Sequence, residues 1–428
     1  MAPQPPKRLL RLLHDALAET PPGRCVWVAL SGGLDSSLLL TLAAEACHTS
    51  GRPLRALHVN HGLQAAASEF ETHCQQLCQH LGVPLAIERV AVEVQGEGVE
   101  GAARRARYAA FAQHVAPGDA LWLAQHQDDQ AETLLLAALR GSGIRGLAGM
   151  PYRREWQGIT LLRPWLSVSR QTLADAAHAM ALRWCEDPTN QDIALDRNRL
   201  RHEVLPTLTQ RWPGAVRSLA QSAGLAGEAD ALLASYAAEE LATLALGAGC
   251  LDAAALAELP PPRQRLLIRT LCQQLGLPTP PQVRLASLLG QLTAAQDAQV
   301  LVEWPGTQAR VWRRRLYLMA PLPTQPDWQT TWNGEPGVPT PLGALQLRLE
   351  RDSSSAAPVI LRWRQGGEVL VLPGRGRRDL KRLLQERALP PWERERLIVV
   401  MAGEHCLGAL QPPANVLWQA AGVVFHTG

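Results

Sequence analysis

A chain of 428 residues with 46% apolar side chains has material for about two to four ordinary domains. Its net charge of +3 excludes a polycation, and its eight cysteines include no Cys-x-x-Cys pair, which argues against zinc ribbons, iron–sulfur sites and a disulfide framework. With no apolar run of ~18 residues and no signal-type start, the chain reads as soluble, cytoplasmic and free of membrane partners.

Residues 7–19 have the spacing of a short amphipathic helix. The apolar run at 26–30 predicts a strand and 36–47 a helix, with a glycine-rich turn between them. A second strand at 54–59 is followed by a helix at 68–81, opened by Ser68 with Glu71 at capping-box spacing. A third strand (85–92), a helix (99–115), a fourth strand (120–124) and a helix (129–139) continue the alternation. That alternation predicts an α/β fold with a doubly wound parallel sheet. Ligands of such sheets sit beyond the carboxyl ends of the strands, where 31–37, 58–62 and 125–129 all fall.

From 141 the pattern changes. Residues 140–147 are too glycine-rich for a helix and predict a loop. An extended piece at 161–165, a helix at 167–182, a turn at Asp187-Pro188-Thr189-Asn190 and an arginine-rich stretch at 197–201 follow. A long helix at 214–245 leaves the first domain. Proline clusters bracket a helix at 263–275 in a helical middle domain, and the six prolines between 321 and 341 read as a linker. The remainder reads as a small, β-rich α+β domain with a helix near 377–387. The expected domains are 1–215, 216–322 and 323–428.

The turn after the first strand has specific chemistry. Gly32 and Gly33 allow close backbone approach to a ligand. The helix-start amides at Leu34 and beyond suit a phosphate, and Ser31, Ser36 and Ser37 add hydroxyls. Asp35 would repel a bare phosphate and makes sense as a ligand of Mg²⁺ lying between. A Walker A loop is excluded, because Leu34-Asp35 stands where that motif needs lysine. The stretch resembles the PP-loop of the ATP pyrophosphatase superfamily, whose members split ATP between the α and β phosphates and attach AMP to a substrate.

In the second motif, 125–133, Asp129 and Glu132 share a helix face. They suit an ammonium group, a metal or a proton, or else act locally as N-cap and capping-box partner. Glu100, Arg104, Arg107 and Tyr108 recur at helical spacing, with Glu100 and Arg104 a favourable pair. Arg140, Arg145, Arg163, Arg197, Arg199 and Arg201 form a basic scatter suited to phosphates or to solvent.

Together these stretches are similar to the bacterial tRNA(Ile)-lysidine synthetase family in its long, three-domain form. The resemblance spans nearly the whole chain. It rests on 31–37, 58–62, 100–108, 126–133, 140–150, Arg163-Pro164, 187–190 and Arg197-Asn198 through Arg201, and continues in 364–368, Leu380-Lys381 and 390–394. One departure stands out: Gln125-His126 occupies the place of the usual His-His doublet.

The resemblance implies a ligase that uses ATP and Mg²⁺. It adenylates the C2 oxygen of the wobble cytidine of tRNA(Ile) with anticodon CAU, and free lysine then displaces AMP. By the same resemblance Ser31, Gly32, Gly33, Leu34, Asp35, Ser36 and Ser37 hold the nucleotide, with Asp35 on the metal. His58, Asn60 and Arg104 lie by the adenosine, Asp129 and Glu132 hold an amine of lysine, and His126 is the candidate base. The later domains hold the tRNA, with Arg313-Arg314-Arg315 and the basic run 375–381 as phosphate contacts, and a homodimer is one expected state. A PP-loop thiolase would need paired cysteines, an amidotransferase-coupled synthetase a glutaminase, and a non-catalytic RNA-binding protein would not need Asp35, Asp129 and Glu132.

Overall fold

The computed structural model describes residues 6–62, 67–91, 98–295, 298–351, 358–411 and 414–427. Its first sheet is built on β1 (Val26–Ala29), where Val26 and Val28 face one layer and Trp27 the other, the period-two pattern of a strand buried on both sides. With β2 (Leu54–Asn60), β3 (Leu85–Arg89), β4 (Ala120–Trp122), β5 (Arg153–Trp156) and β6 (Ile159–Leu162) the spatial order is β3-β2-β1-β4-β6-β5. All neighbours are parallel except the edge pair β5–β6. The strand order reverses between β1 and β4, so the crevice of this sheet opens at their carboxyl ends.

Helices cover both faces. On one, Leu9 and Leu13 of α1 (Lys7–Ala18), Leu38 and Leu42 of α2 (Leu34–Thr49), Cys74 and Cys78 of α3 (Ala67–Leu81) and Leu173 of α7 (Arg170–Ala179) form one core. On the other, Phe111 of α4 (Gly98–His114) packs with Trp27, Leu121 and Leu161. The sheet is the expected doubly wound one.

Several local expectations are corrected. Ser68 and Glu71 form no capping box among the described residues: α3 already begins at Ala67, and the Glu71 carboxylate accepts instead from Arg89 and Asn60. The predicted 140–147 loop contains one helical turn, α6 (Ile144–Leu147), after α5 (Gln127–Leu139). The helix expected from 167 starts only at Arg170, because the Ser169 hydroxyl caps it by accepting from Thr172 N at 3.3 Å. Beyond it lie α8 (Asp196–Arg199), a π-helical turn (Leu200–Val204), α9 (Leu205–Arg211) and the long α10 (Ala215–Leu244).

The chain divides into two compact units after Tyr236. In the second, helices Pro261–Gln274 and Gln282–Leu289 answer the helical expectation, and a five-stranded antiparallel sheet is added to them. Its spatial order is Ala245–Gly247, Cys250–Asp252, Arg315–Met319, Thr307–Trp312, Val300–Trp304. Another five-stranded sheet orders Gln329–Trp332, Val359–Trp363, Ile398–Ala402, His405–Gln411 and Asn415–Gln419. The proline-rich 321–341 stretch is therefore not wholly a linker: it supplies strand Gln329–Trp332 and half of the Val338–Thr340 hairpin. Helix Leu380–Glu386 is capped by Asp379. No helix among the described residues is long and apolar enough to cross a membrane.

Candidate active site

The turn after β1 is held open by one buried hydroxyl. Ser36 Oγ accepts from the amides of Ser31 (3.1 Å) and Gly32 (3.2 Å), lies 2.9 Å from Ser31 Oγ and donates to Gly33 O. Ser37 is fully buried, 3.4 Å from His73 Nε2. Ser36 and Ser37 thus brace the loop, and Ser31 is the exposed hydroxyl of the three. Gly32 sits at φ +90°, where a Cβ would meet Phe70 at 3.0 Å and Cys74 Sγ at 3.2 Å. The first intrahelical bond of α2 runs from Ser37 N to Gly33 O, leaving the amides of Leu34, Asp35 and Ser36 ahead of it, an arrangement that suits an anion.

Asp35 faces the β4 edge. Burial raises its carboxyl above the ordinary 3.8; His126 and two arginines oppose this, and Asp129 reinforces it. Asp35 Oδ1 is buried without a hydrogen-bond partner among the described residues. An orphaned carboxylate oxygen beside a phosphate-type loop fits a Mg²⁺ ion, which takes one or two carboxylates and completes its shell with water and substrate phosphates. No larger cluster of metal-ligating side chains occurs among the described residues.

Across the crevice, His126 is buried at the head of α5. Its Nε2 lies 3.7 Å from Asp35 and 3.6 Å from Asp129, and its Nδ1 3.7 Å from Asp128. Asp129 Oδ2 also accepts from the His126 amide at 3.0 Å, so this carboxylate caps its own helix while facing the crevice. The local capping role and the crevice-facing position thus fall on one residue.

Glu132 is placed differently from expectation. It is 0% exposed, and Arg201 donates to both its oxygens, Nε at 2.8 Å and Nη2 at 3.0 Å. The same Nη2 reaches Asp129 Oδ1 at 3.4 Å. Burial pushes the Glu132 carboxyl up, and the Arg201 bonds oppose that. Burial works against the Arg201 charge, yet the bonds to Glu132 hold its pKa above the usual value. The partner of Asp129 and Glu132 is thus an arginine of the same chain.

That arginine is delivered by the later motifs. Asp187 accepts from Thr189 N (2.9 Å) and Oγ1 (2.7 Å), closing the turn. The buried Asn198 donates to Thr189 O (2.7 Å) and Asp192 O (2.9 Å), tying that turn to α8 one helical turn before Arg201. Sequence spacing grouped Arg201 with a basic scatter; its three-residue offset from Asn198 was the available signal.

On the β2 side, His58 Nδ1 is 2.9 Å from Leu30 O, which makes it the donor and leaves Nε2 as an acceptor, buried and unpartnered among the described residues. Burial lowers the His58 pKa, favouring the neutral ring. The Asn60 side chain is spent locally, donating to Glu71 (3.1 Å) and accepting from Gly62 N (2.9 Å). Arg104 is exposed and stacks over Tyr108 at 4.9 Å. The side chain of Glu100, its expected partner, lies outside the described residues.

Two buried contacts at the β4–β6 edge escaped the sequence. Arg163, 1% exposed, donates Nε to Gln125 Oε1 at 2.6 Å and Nη1 to Pro151 O at 2.7 Å. Gln130 pairs with both backbone groups of Met150, at 2.7 and 2.6 Å.

With this geometry in hand, comparisons with known proteins are specific. A PP-loop domain model matches residues 4–208, a TilS substrate binding domain 251–317 and a TilS substrate C-terminal domain 359–421. A protein of Xanthomonas campestris pv. campestris named tRNA(Ile)-lysidine synthase is 45% identical over 91% of this chain and 91% of its own. Like-named proteins of Alkalilimnicola ehrlichii (42%, covering 94% and 93%) and Pseudomonas putida (43%, covering 92% and 95%) agree.

Proposed function

The chain belongs to the tRNA(Ile)-lysidine synthase family, and from that premise we propose how its first sheet carries out the reaction. It is an ATP-using ligase that forms lysidine on tRNA(Ile). The C2 oxygen of the wobble cytidine in the CAU anticodon attacks the α-phosphorus of ATP and diphosphate leaves. A lysine nitrogen then bonds to C2, the C2–O bond breaks, AMP departs with its electrons, and the amine gives up a proton. A pyrimidine carbonyl oxygen leaves poorly and AMP leaves well, which is why ATP is consumed.

The observation that carries the assignment of residues is the meeting of the 31–37 loop with His126, Asp129, Glu132 and Arg201 where the strand order reverses. The amides of Leu34, Asp35 and Ser36, approached closely across Gly32 and Gly33, cradle the diphosphate end of ATP. Ser31 adds its exposed hydroxyl, while Ser36 and Ser37 keep the loop in shape. Mg²⁺ held by Asp35 Oδ1 would offset the phosphate charge. Asp129, Glu132 and Arg201 together carry one net negative charge, suited to the ammonium form of lysine. Asp129 is the acid that faces the amine, and Glu132 acts by fixing Arg201. His126, 3.6 Å from Asp129, takes the amine proton. His58 Nε2 accepts from the adenosine, with Asn60 shaping the turn beside it and Arg104 reaching the nucleotide from α4.

Segments 216–322 and 323–428 hold the tRNA body. Arg313, stacked on Trp312 at 4.8 Å, and the basic run 375–381 are its phosphate contacts. A cytoplasmic setting follows from the tRNA partner, and a homodimer is the state that light scattering should test. Transfer of labelled lysine to total bacterial tRNA, with ATP and Mg²⁺, tests the function. Label should enter only tRNA(Ile), and diphosphate release should require both tRNA and Mg²⁺. Diphosphate release without tRNA, or label in other tRNAs alone, would overturn it.

A further inference from the structure

Gln125 stands between two anchored features. Its backbone leads directly into His126, whose neighbour Gln127 donates its amide to Val168 O at 2.9 Å. Its side chain is fixed by Arg163 at 2.6 Å. Arg163 in turn is held by its own amide to Tyr152 O (2.9 Å) and by Nη1 to Pro151 O (2.7 Å). A guanidinium this buried needs acceptors for its donors. The groups that act on it most are Gln125 from the β4–α5 loop, the Pro151 carbonyl before β5, the Tyr108 hydroxyl, which is also a hydrogen-bond partner, Arg104 from α4, and Arg154 from β5. None of these is a carboxylate, so the amide oxygen of Gln125 is a neutral acceptor in a positive neighbourhood. Burial accordingly pulls the Arg163 pKa below its usual value.

We propose that Arg163 is a positioning residue for lysidine formation, and that it acts through Gln125 to set the place of His126 between Asp35 and Asp129. This rests on the function proposed above. His126 makes no hydrogen bond through Nδ1 among the described residues, so its ring is placed by looser contacts of 3.6–3.7 Å to Asp35, Asp128 and Asp129 and by the course of its backbone. On its amino side Gln125 is anchored through its side chain by Arg163, the His126 amide itself donates to Asp129 Oδ2 at 3.0 Å, and on its carboxyl side the Gln127 amide is held by Val168 O. Release of the first lets the imidazole drift from contacts of 3.6 and 3.7 Å, the kind of misplacement that costs rate rather than binding.

Three substitutions at the half-buried Gln125 separate positioning from simple packing. Gln125→Leu keeps volume and removes the acceptor. Gln125→Glu keeps an acceptor at the same place. Gln125→His offers an acceptor only while the imidazole is neutral. Lysidine formation by Gln125→Leu should fall about tenfold or more in kcat, with KM for ATP and lysine within about twofold. Gln125→Glu should restore most of the rate. Gln125→His should approach the wild type near pH 8 and lose rate relative to it toward about pH 6. Melting temperatures check that all variants are folded, and Gln125→Glu and Gln125→His carry the test should Gln125→Leu not fold. An unchanged kcat in Gln125→Leu would overturn the inference. So would a Gln125→His to wild-type ratio that does not move with pH, or a Gln125→Glu no better than Leu. A wild type that makes no lysidine would instead sink the function and leave the Gln125 comparison without a substrate.

Discussion

Arg201 grips Glu132 through two parallel bonds, Nε to Oε1 at 2.8 Å and Nη2 to Oε2 at 3.0 Å, across 69 residues of sequence. A fork against a carboxylate is the geometry at which arginine exceeds lysine. Because Glu132 is fully buried, loss of Arg201 strips its carboxylate of two charge-assisted bonds, with Arg197 the other cation acting on it.

Arg201→Met should therefore destabilise the first unit by about 3 kcal/mol, and a joint Arg201→Met, Glu132→Leu change by clearly less. Urea unfolding of both variants checks this. Equal losses would mean that the ion pair is not what the buried acid requires. Both variants should lose lysine use, since the acid facing the amine is steered by the same guanidinium.

Asp35 sets function against stability. Its carboxyl is raised by burial above the ordinary 3.8, so the folded chain holds that proton more tightly than the unfolded chain does. The stability linked to the proton is present below the ordinary value and lost as pH rises through the raised one. Asp35→Asn is neutral throughout and escapes the loss. In magnesium-free buffer it should melt above the wild type at pH 7.5, with the gap closing as pH falls toward 3.8. Diphosphate release by the same variant should be abolished. Near-normal release would refute the metal role, and a melting gap independent of pH would refute the titration.

Gly32→Ala tests the close approach of the loop. At φ +90°, with Phe70 and Cys74 at 3.0 and 3.2 Å from the new methyl, no small side-chain shift relieves both strain and clash. The cost should be about 1–3 kcal/mol in stability, and KM for ATP should rise. The bond from Cys185 N to Gly32 O, at 3.0 Å, carries the disturbance to the 183–186 segment. A variant with unaltered ATP dependence would show that the loop tolerates a wider turn than its geometry implies.

What was legible in the sequence was local. The short, continuously apolar run at 26–30 announced β1, and the Ser-Gly-Gly-Leu-Asp-Ser-Ser stretch announced its turn through residue types. Contacts between distant segments were not: Arg163 with Gln125, Arg201 with Glu132, and Gln130 with Met150 pair residues that no periodicity links. Asn60 was expected at the nucleotide on the family resemblance, and the structure shows its amide donating to Glu71 on α3. The antiparallel sheet in the middle segment was masked by the neighbouring helices, although Val300, Val302 and Trp304 alternate inward with Leu301 and Glu303 outward. Prolines made 321–341 look extended and open, whereas Trp332 is buried and its strand pairs with Val359–Trp363.

Asn198 offers the sharpest check on how the Arg-rich stretch serves the site. It touches neither acid, yet its amide holds Thr189 O and Asp192 O, and Arg201 rises from the following turn. Asn198→Ala removes two bonds from a buried position, a loss of about 2 kcal/mol at about 1 kcal/mol per bond. If Asn198 aims Arg201, the same variant should lose lysine transfer more steeply than the tRNA-dependent release of diphosphate. Asn198→Asp keeps an acceptor where two donors are needed, so it should fail as Ala does and not rescue. Equal loss of both half-reactions would mean that Asn198 supports the fold as a whole, and that Arg201 finds Glu132 without its help.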